Sequence, residues 1–289
     1  MHLLYVGARP RTLPAAVVPV VVGAAAVESI SVSSGWRILG ALVVSVSLQV
    51  AVNYANDYSD GIRGTDNNRV GPLRLVGSGL VRPSVVKKAA FSMIGVAAVV
   101  GLMLAAVTSW WILLVGLCAM VATWTYTGGP RPYGYAGLGE VFVFLFFGVI
   151  ATVGTQFVIS EQITAVAVLA SIAVGSFACA LLVVNNLRDR RGDELSNKKT
   201  LAVKMGDQPT RVFFVSLFVV AAVAVLWVAI LTNAWVLLGW CGCIAVIPGV
   251  REVLNKAEGA RLIRVLEIVG KAQLVFGASF SFGLFIALG

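Results

Sequence analysis

Apolar positions in this chain come in long blocks separated by short polar stretches. Nine blocks, at 12–30, 36–58, 84–107, 109–127, 138–158, 163–186, 210–231, 233–250 and 268–287, approach the roughly 20 residues that a helix needs to cross bilayer hydrocarbon. The pattern predicts an all-α, polytopic membrane protein with nine transmembrane helices, folded as one domain over 1–289. The last three helices carry no intramembrane charge, and the loop at 251–267 reads as an inner-surface amphipathic segment.

Composition supports the pattern. Apolar residues make up 59% of the chain and charged residues 12%, where a soluble domain carries about 25% charged. If the N-terminus is inside, the inner segments are 1–11, 59–83, 128–137, 187–209 and 251–267. With the helix ends beside them, they hold every Lys and Arg except Arg37. That bias predicts an N-in, C-out arrangement in the cell membrane. The net charge of +9 is then a topology signal, and no nucleic-acid partner is expected. No cleavable leader is expected either, because the basic start feeds directly into an apolar block. Cys118, Cys179, Cys241 and Cys243 lie in apolar helices with His2 the lone histidine, which argues against a zinc site or a disulfide framework.

The candidate chemistry sits where two of the blocks end. NYANDYSDGIRGTD closes the second. Asn53, Asn56, Asp57 and Asp60 are spaced i, i+3, i+4, i+7 and share one helical face. Gly61 and Gly64 are expected to break the helix, with Asp66 in the loop beyond. Polar groups this concentrated at a membrane boundary need a compensating partner, and a hard cation such as Mg²⁺ takes oxygen ligands and bridges to phosphate. The next loop supplies Arg63, Arg69, Arg74 and Arg82, with Lys87 and Lys88 opening the following helix, on glycine-rich backbone. Cations and flexible backbone beside carboxylates suit a diphosphate carrying magnesium, although some of these cations serve only as topology determinants. The sixth block ends in VVNNLRDRRGDELSNKKTLAVKMGD, with Asn185, Asp189 and Asp193 at i, i+4, i+8. A solvated, ion-paired helix end explains either stretch alone. Two copies on one membrane face are a stronger signal.

Between them lies WTYTGGPRPYGYAGLGE, at 124–140. Its Gly-Gly-Pro forces a turn. Tyr126, Tyr133 and Tyr135 gather there with Arg131 and Glu140. A tyrosine at this depth is often an interfacial anchor, whereas an ionisable Glu140 at a helix mouth points to function. Facing Asp clusters can clamp Mg²⁺ ions around a diphosphate and stabilise the charge of its departure. Departure from an allylic carbon leaves a cation that needs a dry aromatic pocket. Tyr54, Tyr58, Trp124, Tyr126, Phe142, Phe144, Phe146 and Phe147 are candidate wall residues, and packing alone is the plainer role for any one of them.

These stretches resemble the UbiA-type intramembrane prenyltransferases. The resemblance covers essentially the whole chain and rests on ARPRTLP, NDYSDGIRGTD, RVGPLRLVGSGLV, YTGGPRPYGYAGLGE and NNLRDRRGDELSNKKTLAVKMG. It is strongest to the branch that acts on 1,4-dihydroxy-2-naphthoate in menaquinone synthesis. The third acid of the first motif departs from other branches, coming six residues after Asp60. Asn197 also stands where Gly is expected, and Lys199 where Arg is common. The resemblance implies a helical ring around a central cavity with its active site on the cytoplasmic side. It implies Mg²⁺ held by Asp57, Asp60, Asp189 and Asp193, with Asn53 and Asn185 as neutral ligands. It implies that Arg63, Arg69, Arg74, Lys198 or Lys199 neutralise the diphosphate of a polyprenyl donor taken from the lipid bilayer. Asp66 then binds metal or acts as a base, and Lys204 and Arg131 hold the acceptor carboxylate. The implied reaction joins the prenyl chain to the ring with loss of diphosphate and carbon dioxide. Rival readings are the same family acting on 4-hydroxybenzoate, haem or chlorophyll precursors, a CDP-alcohol phosphatidyltransferase, and a cation-coupled transporter. The phosphatidyltransferase pattern breaks at Ile62-Arg63-Gly64. A transporter would place its acids at the bilayer midplane.

Overall fold

The structure is a computed structural model that describes residues 2–65 and 73–289. It is helical, with no strand among the described residues. Apolar helical segments follow the blocks of the sequence: α1 Pro14–Ala25, α2 Gly35–Arg63, α3 Pro83–Val107, α4 Trp111–Thr125, α5 Gly139–Ser160, α6 Ala165–Leu195, α7 Asp207–Leu231, α8 Ala234–Leu254 and α9 Ala260–Leu288. Seven are long and apolar enough to cross a membrane, while α1 and α4 are shorter, at 12 and 15 residues. Polar sequence trims both. After α1 the chain turns through Ser31, Ser33 and Ser34, whose hydroxyls bond to one another. α4 runs out just before Gly128-Gly129-Pro130.

The short α1 is an interior helix. It packs against α2, α5, α6 and α9, and Ala16, Val18, Pro19, Val20, Val22, Gly23 and Ala24 are all buried. α2 lies along α3, and α6 runs between α5 and α7 with α9 beside it. Where α6, α7 and α9 meet, the Phe177 ring stacks on Phe276 at 4.6 Å and meets Phe218 edge-on at 5.3 Å. Against lipid, such contacts stabilise through van der Waals packing rather than escape from water. α5 and α6 touch at Gly148 and Gly175, where a Cβ on Gly148 would stand 2.5 Å from the Gly175 Cα.

Three boundaries differ from the sequence reading. α2 does not break at Gly61 but continues to Arg63. The glycine is needed for a different reason, since a Cβ there would lie 2.5 Å from Val76 Cγ1, and its absence lets the following loop lie on the helix. α6 extends past its apolar block to Leu195 and so carries all of the second motif. α9 begins at Ala260, so much of the inner segment at 251–267 is helical.

Candidate active site

The last turns of α2 and α6 bring one carboxylate from each motif to a common point. Asp60 is 2% exposed. Its Oδ1 accepts a hydrogen bond from the Tyr135 hydroxyl at 2.8 Å. Its Oδ2 lies 3.7 Å from Lys198 Nζ and 3.9 Å from Arg74 Nη2. The same Lys198 ammonium is 3.9 Å from Asp193 Oδ1 and 5.1 Å from the centre of the Tyr135 ring. A buried carboxylate is tolerable only with such partners. Burial, and then the charge of Asp60, push the Tyr135 phenol well above its ordinary value, so it remains a proton donor to that carboxylate.

Asp57 is fully buried and meets the loop after α2. Its two oxygens accept the backbone N–H groups of Leu75 (2.8 Å) and Val76 (2.9 Å). This fastens the loop to α2 and delivers the neighbouring Arg74 to Asp60. In the second motif, Arg188 donates to both oxygens of Asp189, each at 2.7 Å, and to Asn185 Oδ1 at 2.8 Å. That guanidinium therefore orients two motif residues together.

Other predicted residues brace the surroundings. Asn53 donates to the Ala8 carbonyl and to Thr12 Oγ1, at 2.9 and 3.0 Å, tying the N-terminal segment to α2. Asn56 Oδ1 accepts from the Thr127 hydroxyl at 2.8 Å. Arg63 donates to the carbonyls of Thr127 and Gly129, with its guanidinium 5.2 Å from the centre of the Tyr135 ring. Lys204 Nζ donates to the Ala136 carbonyl at 2.6 Å. Lys199 is exposed, and its backbone N–H donates to the Tyr135 carbonyl at 3.1 Å. Arg131 is exposed. Arg63, Lys204 and the Lys199 backbone thus hold the 126–138 segment that presents Tyr135 to Asp60. Asp66 and Arg69 lie outside the described residues.

An aromatic file leads from this segment into α5. Tyr126 meets Tyr133 edge-on at 5.3 Å, Tyr133 stacks on Phe142 at 3.9 Å, and Phe142 follows Phe146 at 6.0 Å. A separate hollow of about 650 Å³ beside Ser84, Lys87, Lys88, Phe91 and Ser92 is lined by residues of α3 and by no motif residue, so it is not this site.

Among the described residues, no three His, Cys, Asp or Glu side chains converge as a ready metal cluster. Asp60 and Asp193 nevertheless share one cation, the Lys198 ammonium. Their oxygen donors are the kind that Mg²⁺ takes, and the ammonium stands in for a positive charge at the meeting point of the motifs. Sequence reasoning missed the roles of Tyr135, Thr127 and Arg188. The tyrosine cluster was visible, but which tyrosine reaches Asp60 depends on the turn. Arg211, also missed, is 1% exposed and donates to Asp207 and to the carbonyls of Val253 and Ala257. It ties the start of α7 to the end of α8 and to the chain that follows it.

The sequence matches the UbiA prenyltransferase family over residues 16–265. The chain belongs to this family. It is 44% identical to the 1,4-dihydroxy-2-naphthoate octaprenyltransferase of Mycobacterium tuberculosis, over 93% of this chain and 92% of that one. It is 41% identical to the Mycobacterium leprae protein of the same name, over 97% and 95%. Its fold is similar to that of a UbiA homolog from Archaeoglobus fulgidus solved with GPP and Mg²⁺, with a TM-score of 0.70 over 98% of this chain and 99% of that one at 14% identity. Family membership and the run of apolar helices make this UbiA prenyltransferase an integral membrane protein.

Proposed function

We propose that this protein transfers a polyprenyl group from polyprenyl diphosphate to 1,4-dihydroxy-2-naphthoate, releasing diphosphate and carbon dioxide and giving demethylmenaquinone. The relatives named as octaprenyltransferases of that naphthoate support the substrates. The observation that carries the chemistry is the meeting of Asp60 and Asp193 at one cation. Those two, with Asp57, Asp189, Asn53 and Asn185, form the set that would hold Mg²⁺, and Asp66 is a further candidate ligand or base. When bound, Mg²⁺ supplies Lewis-acid stabilisation of the leaving diphosphate. Lys198 and Arg74, both within 4 Å of Asp60, are placed to take up diphosphate charge once that carboxylate has another partner. Arg63, Arg69 and Lys199 are secondary candidates for the same charge. Arg131 and Lys204 remain the candidates for the acceptor carboxylate. The file Tyr126–Tyr133–Phe142 offers ring faces to an allylic cation and keeps water away from it.

In this reading residues 1–289 form one domain, and α1 and α4 complete nine crossings around a central cavity. The N-terminus and the active site face the cytoplasm, a reading that the distribution of cations supports. The test is a prenyl-transfer assay in nanodiscs, with 1,4-dihydroxy-2-naphthoate and 4-hydroxybenzoate as parallel acceptors. The expected result is a prenylated, decarboxylated product from the naphthoate alone, abolished by EDTA and reduced at least about 10²-fold in Asp60→Asn and Asp193→Asn. Product from 4-hydroxybenzoate instead would overturn the acceptor assignment. Full activity in EDTA would overturn the metal.

A further inference from the structure

Glu140 belongs to neither motif. It is the second residue of α5 and is 5% exposed. Its Oε1 accepts a hydrogen bond from Asn186 Nδ2 at 2.9 Å, and Asn186, 6% exposed, adjoins the motif residue Asn185. The Glu140 backbone carbonyl accepts from Cys179 Sγ at 3.1 Å. The other carboxylate oxygen, Oε2, is enclosed and meets no hydrogen-bond donor among the described residues. Buried carboxylate oxygens are costly when unpartnered, and native structures rarely retain them without a reason.

The surroundings indicate what the missing donor is. The hydroxyl end of Tyr126 packs at the start of α5, where a Cβ on Gly139 would be 3.5 Å from Tyr126 Oη. Tyr126 also begins the aromatic file through Tyr133 and Phe142, a wall on which a flat ring can stack. A donor that arrives with an aromatic molecule fits this position.

We propose that Glu140 Oε2 accepts a hydrogen bond from a ring hydroxyl of the aromatic acceptor, with Asn186 aiming the carboxylate and Tyr126 forming the adjacent wall. This inference rests on the prenyl-transfer reading above. In 1,4-dihydroxy-2-naphthoate the 1-hydroxyl closes an internal hydrogen bond to the neighbouring carboxylate. The 4-hydroxyl is free, and it is the group assigned to Glu140. A site built around one hydroxyl discriminates against analogues that lack it far more than shape alone allows. Glu140→Gln reverses the polarity at this point. Its oxygen stays with Asn186, and an N–H donor replaces the accepting Oε2.

The test measures inhibition of prenyl transfer by two deoxy analogues, 1-hydroxy-2-naphthoate and 4-hydroxy-2-naphthoate. In the wild type, the analogue lacking the 4-hydroxyl is expected to bind about 10- to 100-fold more weakly than the one retaining it. In Glu140→Gln that gap shrinks below about threefold, while KM for the polyprenyl diphosphate stays within about threefold. A merely structural role for Glu140 would weaken both analogues together and leave the gap intact. If Glu140→Gln does not assemble, Asn186→Ala, which removes the brace, is expected to narrow the gap. A gap absent from the wild type, or undiminished in every assembled variant, overturns the inference. Wild-type turnover of the naphthoate with an undiminished gap defeats this inference alone. Absence of that turnover defeats the functional reading and the inference with it.

Discussion

Asp57→Asn separates fastening the loop from binding metal. Asp57 is fully buried and receives two backbone N–H groups, from Leu75 at 2.8 Å and Val76 at 2.9 Å. An asparagine keeps one accepting oxygen but turns an N–H₂ toward the other amide. One charge-assisted hydrogen bond, worth about 1.5–3 kcal/mol, is lost, and one buried N–H is left unsatisfied at about 1–3 kcal/mol. The total is about 2.5–6 kcal/mol, and each 1.36 kcal/mol is tenfold. If the loop opens locally, exchange of the Leu75 and Val76 amides should therefore rise roughly 10²- to 10³-fold or more. The assay is hydrogen-exchange mass spectrometry in nanodiscs on a peptide spanning 73–82, with Asp60→Asn as the comparison. Asp60 contacts Arg74 only at 3.9 Å and takes no backbone N–H from 73–80, so its variant should leave those amides nearly unchanged. Unchanged exchange in Asp57→Asn would refute the fastening role and leave Asp57 as a metal ligand alone.

Other outcomes follow from the same contacts. Gly61→Ala puts a methyl 2.5 Å from Val76 Cγ1. It is expected to cost about 1–3 kcal/mol and to loosen the same 73–82 peptide, so a variant with unaltered exchange would contradict the close approach. Tyr135→Phe removes the hydroxyl donor to Asp60 and should lower kcat/KM about 5- to 10-fold. Because the folded Tyr135 pKa is raised above 10.0, the phenol's contribution is full below that unfolded value and is lost only as pH climbs through the higher folded one. The ratio of wild-type to Tyr135→Phe activity is therefore flat from about pH 7 to about pH 9, and convergence of the two over that range would count against the assignment. Arg211→Met leaves Asp207 and two carbonyls without their donor. Breaking a buried pair costs about 3–5 kcal/mol, reduced here to about 2–3 kcal/mol because the Asp207 side chain is 37% exposed. The expected outcome is a lower unfolding midpoint in detergent with an unchanged acceptor KM, and an unchanged midpoint would contradict it.

Much of the fold was legible because bilayer crossing imposes a length and a composition that few other structures require. Helices fall on all nine apolar blocks. What the blocks could not show was where a helix stops being apolar but remains a helix. α6 continues to Leu195 through NNLRDRRGDEL, and there the i, i+4, i+8 spacing of Asn185, Asp189 and Asp193 carried the information that hydropathy lost. The fate of Pro14–Ala25 was likewise hidden. An apolar segment facing lipid and one enclosed by four neighbours have the same composition, and only packing reveals α1 as the interior helix.

The site was legible in its carboxylates but not in its cations. Periodicity places Asp57 and Asp60 on one face, but the two turn out to have different partners, because the loop after α2 folds back over Gly61 and offers its amides to the first of them. That fold-back also decides between arginines that the sequence could not rank. Arg63 is three residues from Asp60 on the same helix, yet it reaches across to the carbonyls of Thr127 and Gly129. Arg74, fourteen residues away in sequence, arrives at the Asp60 carboxylate because its neighbours Leu75 and Val76 are pinned by Asp57. A long cationic side chain has the reach to serve either role, and its sequence position says only which side of the membrane it occupies. The backbone contacts of Asp57 and the bracing of 126–138 determine which cations face the carboxylates. This makes the loop's attachment part of the site, and a variant that loosens 73–80 should impair diphosphate handling without altering any candidate ligand.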